Sequence, residues 1–148
     1  HEFFLHDGSR VCFHGGQRDA EGNEVGWFFG HMATDGSDVR LFWTEGPTGH
    51  CQAWRSSDGS LKVICDVGGE RGAQTDGWIA LIHCDQRSGK GQFQRLHSHG
   101  ASWVTQGAHP HPQFRPGGTQ VVFTTDRKGP KAGRNPQGRS NIYLIDLP

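Results

Sequence analysis

The residues with the clearest capacity for chemistry lie in one short stretch, 106–112, whose sequence is Gln-Gly-Ala-His-Pro-His-Pro. Imidazole nitrogens and carbonyl oxygens are common metal ligands, and this stretch offers them at Gln106, His109 and His111. If Pro110 lies in extended backbone, the two imidazoles point to the same face, because strand side chains alternate with a period of two. Gln106 has the opposite parity and must enter from a bend. The stretch therefore predicts an incomplete metal site that needs one more ligand.

The overall composition excludes several classes of function. Fifteen basic and fifteen acidic residues balance, which argues against a nucleic-acid-binding surface but permits a small anionic substrate. No apolar run approaches the roughly 20 residues that a membrane-spanning helix needs, so no membrane partner is expected. Ten histidines among 148 residues exceed ordinary usage, and this excess favours a site built on imidazoles.

The four cysteines indicate structural thiols. They show no C-x-x-C pairing, and three of them, Cys12, Cys65 and Cys84, lie in apolar strand-like runs. We expect these three to be buried free thiols, a usage that suits a reducing compartment and predicts a cytoplasmic location. Cys51, beside His50, should point to the opposite strand face and be buried, not ligating.

Three segments repeat one pattern, an aromatic residue followed by a tight turn and an apolar strand. The turns are Asp-Gly at 7–8, Asp-Gly at 58–59 and Gly-Gly at 117–118. Such dipeptides between apolar runs are the strongest short-range signal of a β-hairpin. They recur at intervals of roughly 50 to 60 residues, in the range of propeller blades with extended loops.

Further strand candidates complete these hairpins, at 25–29, 39–43, 78–83, 92–96 and 141–145. The count of four, four and three strands predicts an all-β fold, a partial β-propeller of about three four-stranded antiparallel blades. The blades span 1–48, 49–100 and 101–148, and the last lacks its outer strand. Because closed propellers have about four to eight blades, we expect N-terminal blades to be missing from this chain.

The predicted blades bring histidines together. The innermost strand of each blade lines the central channel as an edge strand, where proline is tolerated. His1, His50 and His109 each begin a predicted inner strand, so they should converge at one mouth of the channel. His50 is therefore the best candidate for the missing ligand.

These residues resemble a known family along the whole chain. The matching stretches are 1–8, His50 with 57–60, 102–103 with 106–112, and 121–126 through 142–148. They are similar to the C-terminal part of oligogalacturonate lyase, a seven-bladed propeller enzyme of pectin breakdown. The chain has Phe4 where that family usually has tryptophan, and a substrate-binding arginine of the family lies upstream.

The resemblance implies an activity and a site. It assigns the metal ligands to His50, Gln106, His109 and His111, and the catalytic base to His1. The expected reaction is metal-assisted β-elimination of short oligogalacturonides, which are small anionic oligosaccharides, to unsaturated uronate products. The amide ligand favours Mn²⁺, with Zn²⁺ as the alternative.

Two other functions fit the same sequence. One is a non-catalytic propeller that serves as a binding module, since folds of this kind host many functions. The other is a uronate epimerase, which abstracts the same proton without elimination. The remaining histidines are interpreted as surface or packing residues: His6, His14, His31, His83, His97 and His99.

Overall fold

Strands account for every regular element in the part of the chain that the computed structural model describes, residues 1–68, 77–103, 109–126 and 140–148. Within these ranges there are eleven strands: β1 (Glu2–Phe4), β2 (Arg10–Arg18), β3 (Glu24–Ala33), β4 (Arg40–Thr44), β5 (Cys51–Arg55), β6 (Leu61–Val67), β7 (Trp78–Asp85), β8 (Lys90–Ser98), β9 (Gln113–Phe114), β10 (Gln120–Thr125) and β11 (Asn141–Asp146). None of the described residues belongs to a helix long and apolar enough to cross a bilayer. The predicted all-β class is confirmed.

The strands form three consecutive antiparallel units, which we call the first blade (β1–β4), the second blade (β5–β8) and the third blade (β9–β11). Within each blade every strand pairs with its neighbour along the chain. The outer strands β4 and β8 also meet at one parallel bridge between Trp43 and Lys90. The described strands thus number four, four and three, and the fold is a partial β-propeller.

The first turn of each blade depends on glycine. Gly8, Gly59 and Gly117 have φ angles of 71°, 83° and 97°, a region that residues with a Cβ rarely adopt. In the second blade the aspartate of the turn also contributes, because Asp58 Oδ1 accepts the N–H of Ser60 at 2.9 Å. The hairpins predicted from these dipeptides are confirmed.

The second blade lies between two apolar cores, and this explains the mostly apolar sequences of its central strands, β6 and β7. Leu61, Val63 and Cys65 of β6 belong to the core shared with the first blade. Ile64, on the opposite face of the same strand, belongs to the core shared with the third blade. The second blade therefore packs against both of its neighbours.

The start of the third blade departs from the predicted inner strand. Its β9 is only two residues long, and 109–112 lies outside any strand ladder. Pro110 and Pro112 have no N–H to donate, and His111 has a φ of 44°, which is not extended backbone. The prediction that His109 and His111 share a face through strand alternation is therefore wrong.

Candidate metal centre

Three histidines meet at one end of the second and third blades. His50 immediately precedes β5, while His109 and His111 precede β9. The ring centroid of His50 is 5.2 Å from that of His109 and 3.8 Å from that of His111. One potential ligand atom from each ring lies within 4.8 Å of the others, close to the spacing that one ion with bonds of about 2 Å allows. The fourth predicted ligand, Gln106, lies outside the described residues.

The orientation of His50 is set by Asp66, a fully buried carboxylate near the end of β6. Asp66 Oδ1 accepts the backbone N–H of His50 at 2.7 Å, and Asp66 Oδ2 lies 2.9 Å from His50 Nδ1. A carboxylate beside Nδ1 suits an imidazole whose proton is on Nδ1, the form that leaves the lone pair on Nε2. Gly49 permits this approach, since a Cβ at that position would overlap Asp66 Oδ1.

Backbone tethers contribute to the placement of the two third-blade histidines. The Pro110 carbonyl accepts the N–H of Thr124 at 2.9 Å, and Thr124 Oγ1 donates to the His109 carbonyl at 3.0 Å. His111 has its φ of 44°, and Trp103, whose ring centroid is 4.4 Å from that of His109, has a φ of 57°. Left-handed backbone is uncommon outside glycine and clusters at functional sites, where the surrounding structure holds it in place.

His1, the predicted base, lies at the edge of this cluster. Its ring centroid is 5.5 Å from that of His50, and 5.4 Å from that of His14, on which it stacks. His14 Nδ1 is 2.9 Å from Thr48 Oγ1. Burial lowers the pKa of His14 to about 4. His14 is therefore neutral at pH 7 and adds no positive charge beside His1.

A small cleft of about 170 Å³ adjoins the cluster. Its lining includes His50 and His111, together with Phe3 and Phe4. Pockets that enclose a whole small ligand measure roughly 300 Å³ or more. This cleft therefore suits one group of a ligand, with the rest of a longer ligand extending over the surface.

Two residues of the site were not found from the sequence. Asp66 could have been found, because a carboxylate inside the apolar run 61–67 has to be buried with the strand that carries it. Nothing in the sequence pointed to His14, since its contact with His1 arises from the register between β1 and β2. Pairing between strands, and not spacing along the chain, brings His14 to the site.

The remaining sequence predictions concern packing residues. Cys12, Cys65 and Cys84 are buried free thiols, as predicted. Cys51 is half-buried, where a buried side chain was expected, and its thiol lies 3.5 Å from the Gly49 carbonyl. Of the other histidines, His31 and His99 are buried. His6, His83 and His97 are exposed.

Comparisons of the chain with protein-family profiles, curated proteins and solved structures find no match. The residues of the site themselves indicate its chemistry. Three converging imidazoles are a donor set suited to a divalent transition-metal cation. His1 adds an exposed imidazole next to this set, and imidazole accepts protons near neutral pH.

Proposed function

We propose that this chain is the C-terminal part of an oligogalacturonate lyase, which cleaves short oligogalacturonides by metal-assisted β-elimination. The sequence resemblance supports this proposal. The observation that carries it is the meeting of His50 with His109 and His111, whose ligand atoms lie within 4.8 Å of one another. In this proposal the blades at 1–48, 49–100 and 101–148 follow further blades that complete a seven-bladed propeller.

The chain's own residues account for metal binding. His50, His109 and His111 would hold the cation, joined by Gln106 on the basis of the sequence. The added amide oxygen favours Mn²⁺, which accepts mixed nitrogen and oxygen ligands, over Zn²⁺. When bound, a divalent cation stabilises the negative charge that develops on a substrate carboxylate as the neighbouring proton is lost.

His1 would act as the base. Histidine has a reference pKa of about 6.5, so the imidazole is largely neutral at pH 7 and accepts the proton from C5 of the uronate. The electron pair of the C5–H bond forms the C4–C5 double bond, and the glycosidic oxygen at C4 leaves and takes a proton from water. The ring of His14 stacks on His1. Because it is neutral, it adds no positive charge that would compete with the cation for the substrate carboxylate.

The proposal is tested with digalacturonate and Mn²⁺, using the chain extended at its N-terminus by its preceding sequence. We expect ultraviolet absorbance of an unsaturated uronate to rise only when the metal is present. A folded protein that binds Mn²⁺ and gives no such absorbance contradicts the lyase activity. An epimerised product without a double bond would assign a uronate epimerase instead.

Replacing His1 separates the base from the metal ligands. In the same extended protein, His1→Ala should leave the Mn²⁺ content unchanged and lower turnover by about 100-fold or more, the usual contribution of a general base. His6→Ala, which removes another exposed histidine of the first blade, serves as the control and should keep full turnover. Retained turnover in His1→Ala would place the base elsewhere.

A further inference from the structure

Asp66 is a carboxylate with no solvent exposure inside the mostly apolar strand β6. Moving a charge from water into a protein interior is strongly unfavourable unless its partners compensate. Both carboxylate oxygens of Asp66 are directed to a single residue, His50, at its backbone N–H and at its ring. A charge held in this way indicates a requirement for one particular state of His50.

The two contacts together define that state. The bond to the backbone N–H fixes where His50 begins β5, and the contact with Nδ1 fixes the rotation of the ring. A neutral imidazole carries its proton on either nitrogen. Only the form protonated at Nδ1 both donates to Asp66 and leaves Nε2 with a lone pair. The two contacts are therefore matched to one of the two tautomers.

In the third blade an aspartate at the end of the second strand, Asp126, bonds a serine. Asp126 follows β10 and is 4 % exposed, and its Oδ1 accepts the backbone N–H of Ser102 at 2.8 Å. Its Oδ2 accepts the Ser102 hydroxyl. In both blades an aspartate at the end of the second strand therefore accepts one backbone N–H, from His50 in the second blade and from Ser102 in the third. The contact with a histidine ring is the element added in the second blade.

From this difference we propose that Asp66 is a positioning residue that holds His50 in the tautomer presenting Nε2 to the cation. The proposal rests on the metal site of the proposed function.

Removing the negative charge of Asp66 while keeping the shape of its side chain tests the proposal. In Asp66→Asn the amide oxygen still accepts the His50 N–H, but the amide nitrogen then faces Nδ1 and donates to it. The imidazole proton must therefore move to Nε2, where it blocks the ligand position.

The tautomer is measured directly, without metal, in the ¹⁵N-labelled chain. At mildly alkaline pH, where imidazoles are neutral, long-range ¹H–¹⁵N correlation spectra distinguish the two forms. We expect wild-type His50 to be protonated at Nδ1 and the Asp66→Asn protein to shift His50 to Nε2. A wild-type His50 protonated mainly at Nε2 overturns the proposal. This measurement on the wild type requires no variant, so it remains decisive if Asp66→Asn fails to fold.

The effect on the cation is measured by Mn²⁺ titration of the same proteins. Residues that orient a metal ligand typically contribute 10- to 100-fold to affinity, so Asp66→Asn should bind about 10- to 100-fold more weakly. The matched control is Asp126→Asn, whose amide keeps both bonds to Ser102 because the hydroxyl can reverse its role. Its affinity should stay within about 3-fold of wild type. Equal affinity of Asp66→Asn and wild type overturns the proposal.

The two measurements separate the possible failures. If the wild-type chain binds no Mn²⁺, the metal site of the proposed function fails, whatever the tautomer of His50. If the wild type binds Mn²⁺ but its tautomer does not depend on Asp66, the metal site stands and the role of Asp66 is overturned.

Discussion

The second and third blades bring histidines to the same place by different means. His50 is oriented by the carboxylate of Asp66, which contacts both its backbone and its ring. His109 and His111 lie on a proline-containing segment whose backbone is tethered to Thr124 of β10. The contact of a carboxylate with a ring controls the rotation and protonation of that ring, whereas hydrogen bonds to the backbone control where the residue lies. Changes at the Asp66 contact and changes at the Thr124 bonds should therefore affect metal affinity to different degrees.

Loss of a ligand should have the largest effect. We expect His111→Ala to weaken Mn²⁺ binding by at least about 100-fold, because residues that merely orient ligands already contribute 10- to 100-fold. The free energy of unfolding should change by less than about 0.5 kcal/mol, since the His111 side chain is exposed. Metal titration and urea denaturation measure the two quantities. The control is His83→Ala, which removes an exposed histidine of β7. One equivalent of tightly bound metal in His111→Ala would show that the ligand assignment is wrong.

Adding a methyl group at Gly49 tests the contact of Asp66 with His50 in the second blade. The Cβ of Gly49→Ala would overlap Asp66 Oδ1, so the carboxylate must move away from His50. We expect about 10-fold weaker Mn²⁺ binding and a loss of about 2 kcal/mol in stability, as is typical of overpacked sites. Gly46→Ala is the matched control, because its Cβ enters open space. Similar effects of the two substitutions would argue against a role of the Asp66 contact in orienting His50.

His31 of β3 is buried and should make the stability of the fold depend on pH. Burial, followed by the charge of Arg10, lowers the pKa of His31 to about 4. The unfolded chain, with an ordinary histidine pKa near 6.5, then binds more protons than the fold below that pH. Stability should therefore fall as the pH drops from about 6.5 towards 4. His31→Gln should reduce the loss between pH 7 and pH 5 by up to about 2 kcal/mol, as measured by urea denaturation. Equal losses in the two proteins would contradict this.

The smallest effect is expected at the backbone tether of the third blade. Thr124→Val removes the hydroxyl that donates to the His109 carbonyl and keeps the N–H that donates to Pro110. Stability should fall by about 1 kcal/mol, the usual net contribution of one hydrogen bond. Mn²⁺ affinity should stay within about 3-fold, because the segment keeps its second tether. Thr119→Val, at an exposed position of the same blade, is the control. A loss of Mn²⁺ affinity as large as in Gly49→Ala would show that the backbone bonds of the third blade matter as much for affinity as the Asp66 contact of the second blade.

Much of the fold follows from local sequence. The hairpins were predictable because Gly8, Gly59 and Gly117 supply the backbone that their turns require. The apolar run after the second turn likewise indicated a strand, and the structure shows that this strand is buried on both faces. The positive φ at His111 was not predictable, since the two residues before it are bonded to Thr124 of β10 and such pairing is not visible in local sequence.

The sequence by itself determined the three repeating β units and the residue types available for chemistry, with His1 and His50 each directly before an inner strand. Only the tertiary structure decided that the ring of His50 lies 3.8 Å from that of His111 and that Asp66 controls its orientation. Turn and strand preferences act between neighbours in the chain. Distances between side chains of different blades are set by how the apolar faces of those blades pack, and that packing involves residues far apart in sequence.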